Sequence, residues 1–230
     1  MQRRRKYRTR VLLGREDLCR VRIRQLTALA EYLGYEVTLS SQRDPRWAGL
    51  IRPGREIGVW AEALEDQLST LAHEICHAGL WELRISTSFI ENNPGASVEE
   101  GLCYAFENLM MGALLNDWPH YFRGSDVSSA RYFLSRFVEQ LRLSLLHRCV
   151  NVTKRKSNHE EALNLTNAIK DGLAAFGERW RDGRYEEMRD AVTDVFENLF
   201  DLVDLCNSLI AGRRSQQIRE AEAQEGLFQL

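Results

Sequence analysis

The chain has 230 residues, 44% hydrophobic and 28% charged, which is enough for one sizeable core and excludes a disordered or collagen-like polymer. No apolar run approaches the roughly 18–20 residues that cross a bilayer, and a formal net charge of −2 gives no overall case for nucleic-acid binding. Cys19, Cys76, Cys103, Cys149 and Cys206 are odd in number and form no Cys-x-x-Cys pair, which argues against a disulfide framework and for a reduced compartment.

Residues 1–14 form a basic arm carrying Arg3, Arg4, Arg5, Lys6, Arg8 and Arg10. Only Val11-Leu12-Leu13 follows before Gly14, too short an apolar stretch for a secretory signal, so the expected location is the cytoplasm. The arm is the one local feature suited to nucleic acid or an acidic partner, and a solvated chain end is its first expectation.

Leu18, Ile23, Leu26, Leu29, Ala30 and Leu33 recur at helical spacing over 15–33, and Gly34 supplies a stop. Residues 35–40 alternate as a strand does. Residues 47–60 read as two short strands about Pro53-Gly54, a favoured turn pair. The expectation is a small antiparallel meander whose last strand, Glu56–Trp60, forms its edge. A helix over about 61–83 follows, with Leu64, Leu68, Leu71, Ile75 and Leu80 on its apolar positions. Residues 91–97 have loop composition, and Ser97 opens a helix to about Leu115 with Leu102, Phe106, Leu109 and Ala113 on one face.

From Ser125 onward the pattern is helical. Helices are expected over about 127–150, 159–181 and 185–211, separated by the basic break at 151–158 and by Arg181-Asp182-Gly183-Arg184. The last carries Met188, Val192, Val195, Leu199, Leu202, Cys206 and Leu209 as a packing stripe, suited to a bundle, a protein partner or a dimer contact. Residues 213–230 read as a polar tail. The fold class expected is α+β: a small antiparallel sheet with two helices, then an all-helical C-terminal half. The domains expected are 15–118 and 119–212.

The chemistry gathers at His73-Glu74-Ile75-Cys76-His77. Side chains four apart stack on one helix face, so His73 and His77 can meet one metal ion. Glu74 lies about 100° round the helix, the place for a general base acting on bound water. Zinc suits such donors, and a catalytic site keeps one position open for water. Leu71, Ala72, Ile75, Cys76 and Ala78 are uncharged, as a helix beneath a cleft requires. A third histidine at 83 would complete one common pattern, but Leu80 and Leu83 stand where it needs Gly and His. The third ligand is therefore sought on the helix after Ser97, in Glu99 or Glu100. Glu99 lies nearer the apolar seam. Glu100 has the small Cys103 three residues on, and it also completes a capping box with Ser97. The residues alone leave both open.

The segment from Thr70 to His77, followed after 22 residues by Glu100-Gly101-Leu102-Cys103 and Glu107, resembles the gluzincin metallopeptidases, and residues 16–115 resemble their small ImmA/IrrE-like branch. Leu102, Cys103 and Ala105 depart from the aromatic, Ala and Tyr of that pattern. The resemblance implies a zincin-like catalytic domain over 15–118 and peptide-bond hydrolysis with zinc held by His73, His77 and Glu100. Glu74 is then the base, and an extended peptide or protein substrate pairs with the edge strand. It also implies a regulatory protease with few targets. Tyr104, His120 and Tyr121 are candidate oxyanion donors, with packing the first expectation for the tyrosines and a loop or cap role for His120. Trp47, Trp60 and Trp81 are expected in the core first, and in the wall of a substrate pocket second. Cys76 and Cys103 could complete a closed His2Cys2 structural zinc site instead. A non-catalytic zinc-stabilised scaffold or helical partner-binding protein is the alternative function.

Overall fold

The computed structural model describes residues 14–52, 54–84, 97–121, 127–153 and 155–227. The basic arm before Gly14 and the loop expected over 91–97, apart from Ser97, lie outside the described residues. The fold is α+β, with a three-stranded mixed sheet and seven helices among the described residues, and every described element from Val127 on is a helix.

Helix α1 (Arg15–Leu33) buries Ile23, Leu26, Leu29 and Leu33, and ends at Gly34, whose φ of 93° is left-handed. The Gly34 and Tyr35 amides return to the carbonyls of Glu31 and Ala30, closing the last turn. Strands β1 (Glu36–Ser40), β2 (Gly49–Arg52) and β3 (Glu56–Trp60) follow. Their order is β1-β3-β2, with β1 parallel and β2 antiparallel to β3. Two expectations are corrected here. The sheet is mixed rather than an antiparallel meander, and Glu56–Trp60 is its centre rather than its edge. Residues 41–48 contain no tight turn and can cross the two strand spacings, about 10 Å, that leave a slot between β1 and β2. The β2–β3 turn is tight, with Gly54 and Arg55 both at positive φ, so β3 folds straight back into that slot. It is also the strand fitted to be central, because Ile57, Gly58 and Val59 are all buried. The two edges of the sheet are β1 and β2.

Helix α2 (Leu64–Glu82) carries the His-Glu-x-x-His segment, and every residue from Leu71 to Leu80 is buried. Helix α3 (Ser97–Leu115) lies against it, and a single turn, α4 (Trp118–Tyr121), follows. Helices α5 (Val127–Val152), α6 (Lys156–Arg181) and α7 (Tyr185–Leu227) complete the fold. Helix α5 runs on to Val152 and α6 begins at Lys156, both inside the break expected over 151–158. The polar tail expected over 213–230 is helical as far as Leu227. One glycine costs a helix only about 1 kcal/mol, and Gly212 is followed by Arg, Gln, Glu and Ala, all good helix formers.

The helical half shares one hydrophobic cluster with the sheet and α1–α3, running without a break from Cys19 to Cys206. Its junction is aromatic. Phe106 on α3 meets Phe133 and Phe137 of α5 at 5.0 and 5.3 Å and Phe196 of α7 at 6.4 Å, all edge to face. Phe137 also lies against Gly79, where a Cβ would stand 2.1 Å from its ring, so α5 packs closely on the helix that carries the histidines. Buried Arg22 ties three elements together. It donates to the Leu114 carbonyl at the end of α3 (3.1 Å), to Gln25, and to Glu197 on α7. All five cysteines are free and buried. No helix among the described residues is long and apolar enough to cross a membrane.

Candidate metal centre

Helices α2 and α3 set the site between them. The one-turn spacing of His73 and His77 brings their Nε2 atoms within 3.3 Å of each other. The first turn of α3 brings the Glu100 carboxylate to the same point, with one oxygen 3.2 Å from His73 Nε2 and the other 3.5 Å from His77 Nε2. Donor atoms held about 2.0–2.1 Å from one tetrahedral ion stand about 3.3–3.4 Å apart, so these spacings suit zinc. Among the described residues, His73, His77 and Glu100 form the group able to hold a metal, with its donors all within 4.8 Å of one another. Neither Cys76 nor Cys103 belongs to it, so the closed His2Cys2 arrangement is not the one brought together.

The other ring nitrogens are also engaged. His73 Nδ1 donates to Glu107 Oε2 at 3.1 Å, and the Ser69 hydroxyl donates to that carboxylate's second oxygen. His77 Nδ1 donates to Glu99 Oε1 at 2.7 Å. A carboxylate at Nδ1 keeps the proton there and leaves the Nε2 lone pair free. Two lone pairs and a carboxylate then face one another, an arrangement that repels unless a cation or proton stands between. The donor set therefore fits a divalent metal.

The electrostatics agree with that surplus of negative charge. Burial opposes charge on His77, but Cys103 and Glu99 outweigh it and raise the imidazole to about 9. Burial opposes charge on His73 too, and the bond to Glu107 carries it upward. The Cys103 thiol is lowered to about 7, first by a hydrogen bond from Cys76 and then, against its own burial, by His77. Cys76 is pushed well up by burial.

Glu74 is 8% exposed, and burial raises its carboxyl while the two histidines pull it back. It lines the same cleft as the cluster, a cavity of about 640 Å3 between β2 on one side and α2 and α3 on the other. Its Oε1 lies 2.5 Å from where a Cβ of Gly49 would stand, and the Thr70 methyl is equally close. Only glycine lets β2 pass so near that carboxylate.

The β2 edge borders this cleft through Ala48, Gly49, Leu50 and Ile51. The Trp60 amide bonds the Ala48 carbonyl, so by antiparallel alternation Ala48, Leu50 and Arg52 turn their backbone groups toward β3. Gly49 and Ile51 turn theirs to the open side.

The tyrosine, histidine and tryptophan expectations divide. Tyr104 lines the cleft, 58% exposed, with its ring 4.5 Å from that of His73, rather than packing in the core. His120 and Tyr121 meet edge to face in α4 outside the cleft lining, and the Tyr121 hydroxyl is bound to Glu65. Trp47 and Trp81 line the cleft half exposed, while Trp60 lies across Gly58 on the sheet. Among the described residues lining the cleft, none lies beyond Glu107, so α5–α7 back α3 rather than close the opening.

Sequence reasoning assigned no role to Glu107 or Gly49. Glu107 was legible: it stands seven residues after Glu100, two turns along the same face of α3, and Ser69 stands four before His73. Gly49 gave no local signal, because its need arises from a carboxylate on another element. No protein-family model, curated protein or solved structure matches the chain.

Proposed function

We propose that the chain is a zinc-dependent metallopeptidase of gluzincin type, with zinc held by His73 Nε2, His77 Nε2 and Glu100, and with Glu74 as general base. The observation that carries this reading is the 3.2–3.5 Å spacing of those three donor groups, set in one cleft with a buried carboxylate and a free strand edge. Zinc, when bound, supplies Lewis acidity and brings the pKa of a bound water to roughly 7.

The chain's own residues supply the rest. Glu107 and Glu99 hold the two imidazoles by their Nδ1 protons and fix which nitrogen faces the metal. The Glu74 carboxylate, pressed against Gly49, takes a proton from the attacking water and returns it to the leaving nitrogen of the peptide. Tyr104 is the candidate oxyanion donor, since neither His120 nor Tyr121 lines the cleft. An extended peptide adds to β2 through the open backbone groups of Gly49 and Ile51. The reading includes a cytoplasmic protease that acts on few protein targets.

The test is Glu74→Gln. It should keep one zinc per chain and lose peptide hydrolysis by about 10²-fold or more. Retained cleavage removes Glu74 as the base. Zinc without cleavage in the parent chain would favour the non-catalytic scaffold instead.

A further inference from the structure

The cleft has a chemical character that hydrolysis alone does not require. Of the chain's five tryptophans, the two that are more than half exposed, Trp47 at 52% and Trp81 at 51%, both line it. Tyr104 joins them. Two of these rings are anchored at the proposed ligands: Tyr104 lies 4.5 Å from His73, tilted by 56°, and Trp81 lies 5.9 Å from His77, tilted by 41°. Trp47 stands just before the free edge at Gly49. Large apolar rings left half in water are not explained by packing, and covering them with apolar substrate is favourable in proportion to the area removed from water. Glu74, Glu99, Glu100 and Glu107 in the same cleft outweigh Arg46 even with a bound divalent zinc counted, so it disfavours acidic side chains.

We propose that Trp47, Trp81 and Tyr104 form the subsites that select an extended peptide with a large apolar or aromatic side chain beside the bond to be cleaved. This rests on the hydrolytic reading of the site. A peptide paired with β2 alternates its side chains across the strand, so the residues flanking the reacting bond fall beside rings already fixed at the two histidines. Trp47 acts from the edge-strand side and touches neither histidine, which makes it the cleanest position to vary.

The experiment uses capped decapeptides that differ only in the two residues flanking a central bond: Phe, Leu, Ala or Asp. The zinc-loaded full chain is assayed for cleavage by mass spectrometry, and its Glu74→Gln variant for binding by tryptophan fluorescence. The Phe and Leu peptides should exceed the Ala peptide by about 10-fold and the Asp peptide by more, in kcat/KM and in affinity. Trp47→Ala should keep zinc and remove most of the roughly 10-fold Phe-over-Ala preference, the low end of what a lost apolar contact costs. Tyr104→Ala, read by binding in the Glu74→Gln chain because Tyr104 is also the candidate oxyanion donor, serves as a second variant, with zinc content checked. Cleavage indifferent to the flanking residues overturns the proposal and leaves hydrolysis standing. Preferential binding without cleavage by the parent chain supports the subsites and overturns hydrolysis. A preference that survives in both variants, or no binding of any peptide, overturns the proposal.

Discussion

The Nδ1–H of His77 donates to Glu99 at 2.7 Å, while the Nε2 of the same ring faces Glu100 at 3.5 Å. Two adjacent glutamates thus serve opposite edges of one imidazole, and on the proposed reading they differ in kind. Glu100→Gln should abolish stable zinc binding. Glu99→Gln should keep one zinc per chain at about 10- to 100-fold lower affinity, the usual cost of removing a carboxylate behind a metal-bound histidine. Competition against a chromophoric chelator measures both. Zinc released by the Glu99 change alone would reverse the two roles.

The Gly49–Glu74 contact predicts a separation of binding from turnover. A methyl at position 49 would sit 2.5 Å from Glu74 Oε1 and from the Thr70 methyl, so the carboxylate must move. Gly49→Ala should leave zinc content unchanged and lower kcat by about 10²-fold, the scale of a 1 Å misplacement of a catalytic group. Unchanged kcat would show that the carboxylate has room to spare.

How much of this was legible in the sequence follows the range of the forces involved. The extents of α1–α3 follow largely from periodicity within one segment, with Gly34 as the stop of α1, and the helix expected over 61–83 runs from Leu64 to Glu82 with no side-chain cap at Ala63. Strand order does not follow in this way, because Glu56–Trp60 becomes central only once residues 41–48 leave a slot for it. The histidine pair was readable from its four-residue spacing, but the division of labour between Glu99 and Glu100 depends on how α3 lies across α2. The helix beyond Gly212 was missed by giving one glycine more weight than the helix formers after it. Trp47 and Trp81 were expected first in the core, because hydrophobicity alone does not say which rings a cleft leaves in water.

Glu65 predicts an acid dependence of stability away from the cleft. Arg15, bound to it at 2.7 Å, and Tyr121 hold its carboxyl down at about 2, against its burial and an ordinary value of 4.5. A carboxyl depressed on folding stabilises the fold above the unfolded value and loses that contribution as pH falls from about 4.5 toward 2. The two partners are 48% and 31% exposed, so solvent screening limits the effect to about 1 kcal/mol. Urea denaturation at pH 6 and at pH 2.5 should show Glu65→Gln costing clearly more stability at the higher pH. An equal cost at both would place the effect in packing rather than charge.

Phe196 tests whether the helical half is part of the same folding unit as the site. It is buried on α7 and meets Phe106 on α3. Phe196→Ala should cost about 3–5 kcal/mol in a single transition, with zinc lost in that same transition. Two transitions, with zinc retained through the first, would contradict a shared core.

The central claim is the position of the ion. Anomalous X-ray scattering at the zinc edge from crystals of the zinc-loaded chain locates it directly. The prediction is one site, bonded at about 2.0–2.2 Å to His73 Nε2, His77 Nε2 and a Glu100 oxygen, with Glu99 on the far side of the His77 ring. Zinc bonded to Glu99 in place of Glu100, zinc on the sulfurs of Cys76 and Cys103 at about 2.3 Å, or no peak between α2 and α3 would contradict it.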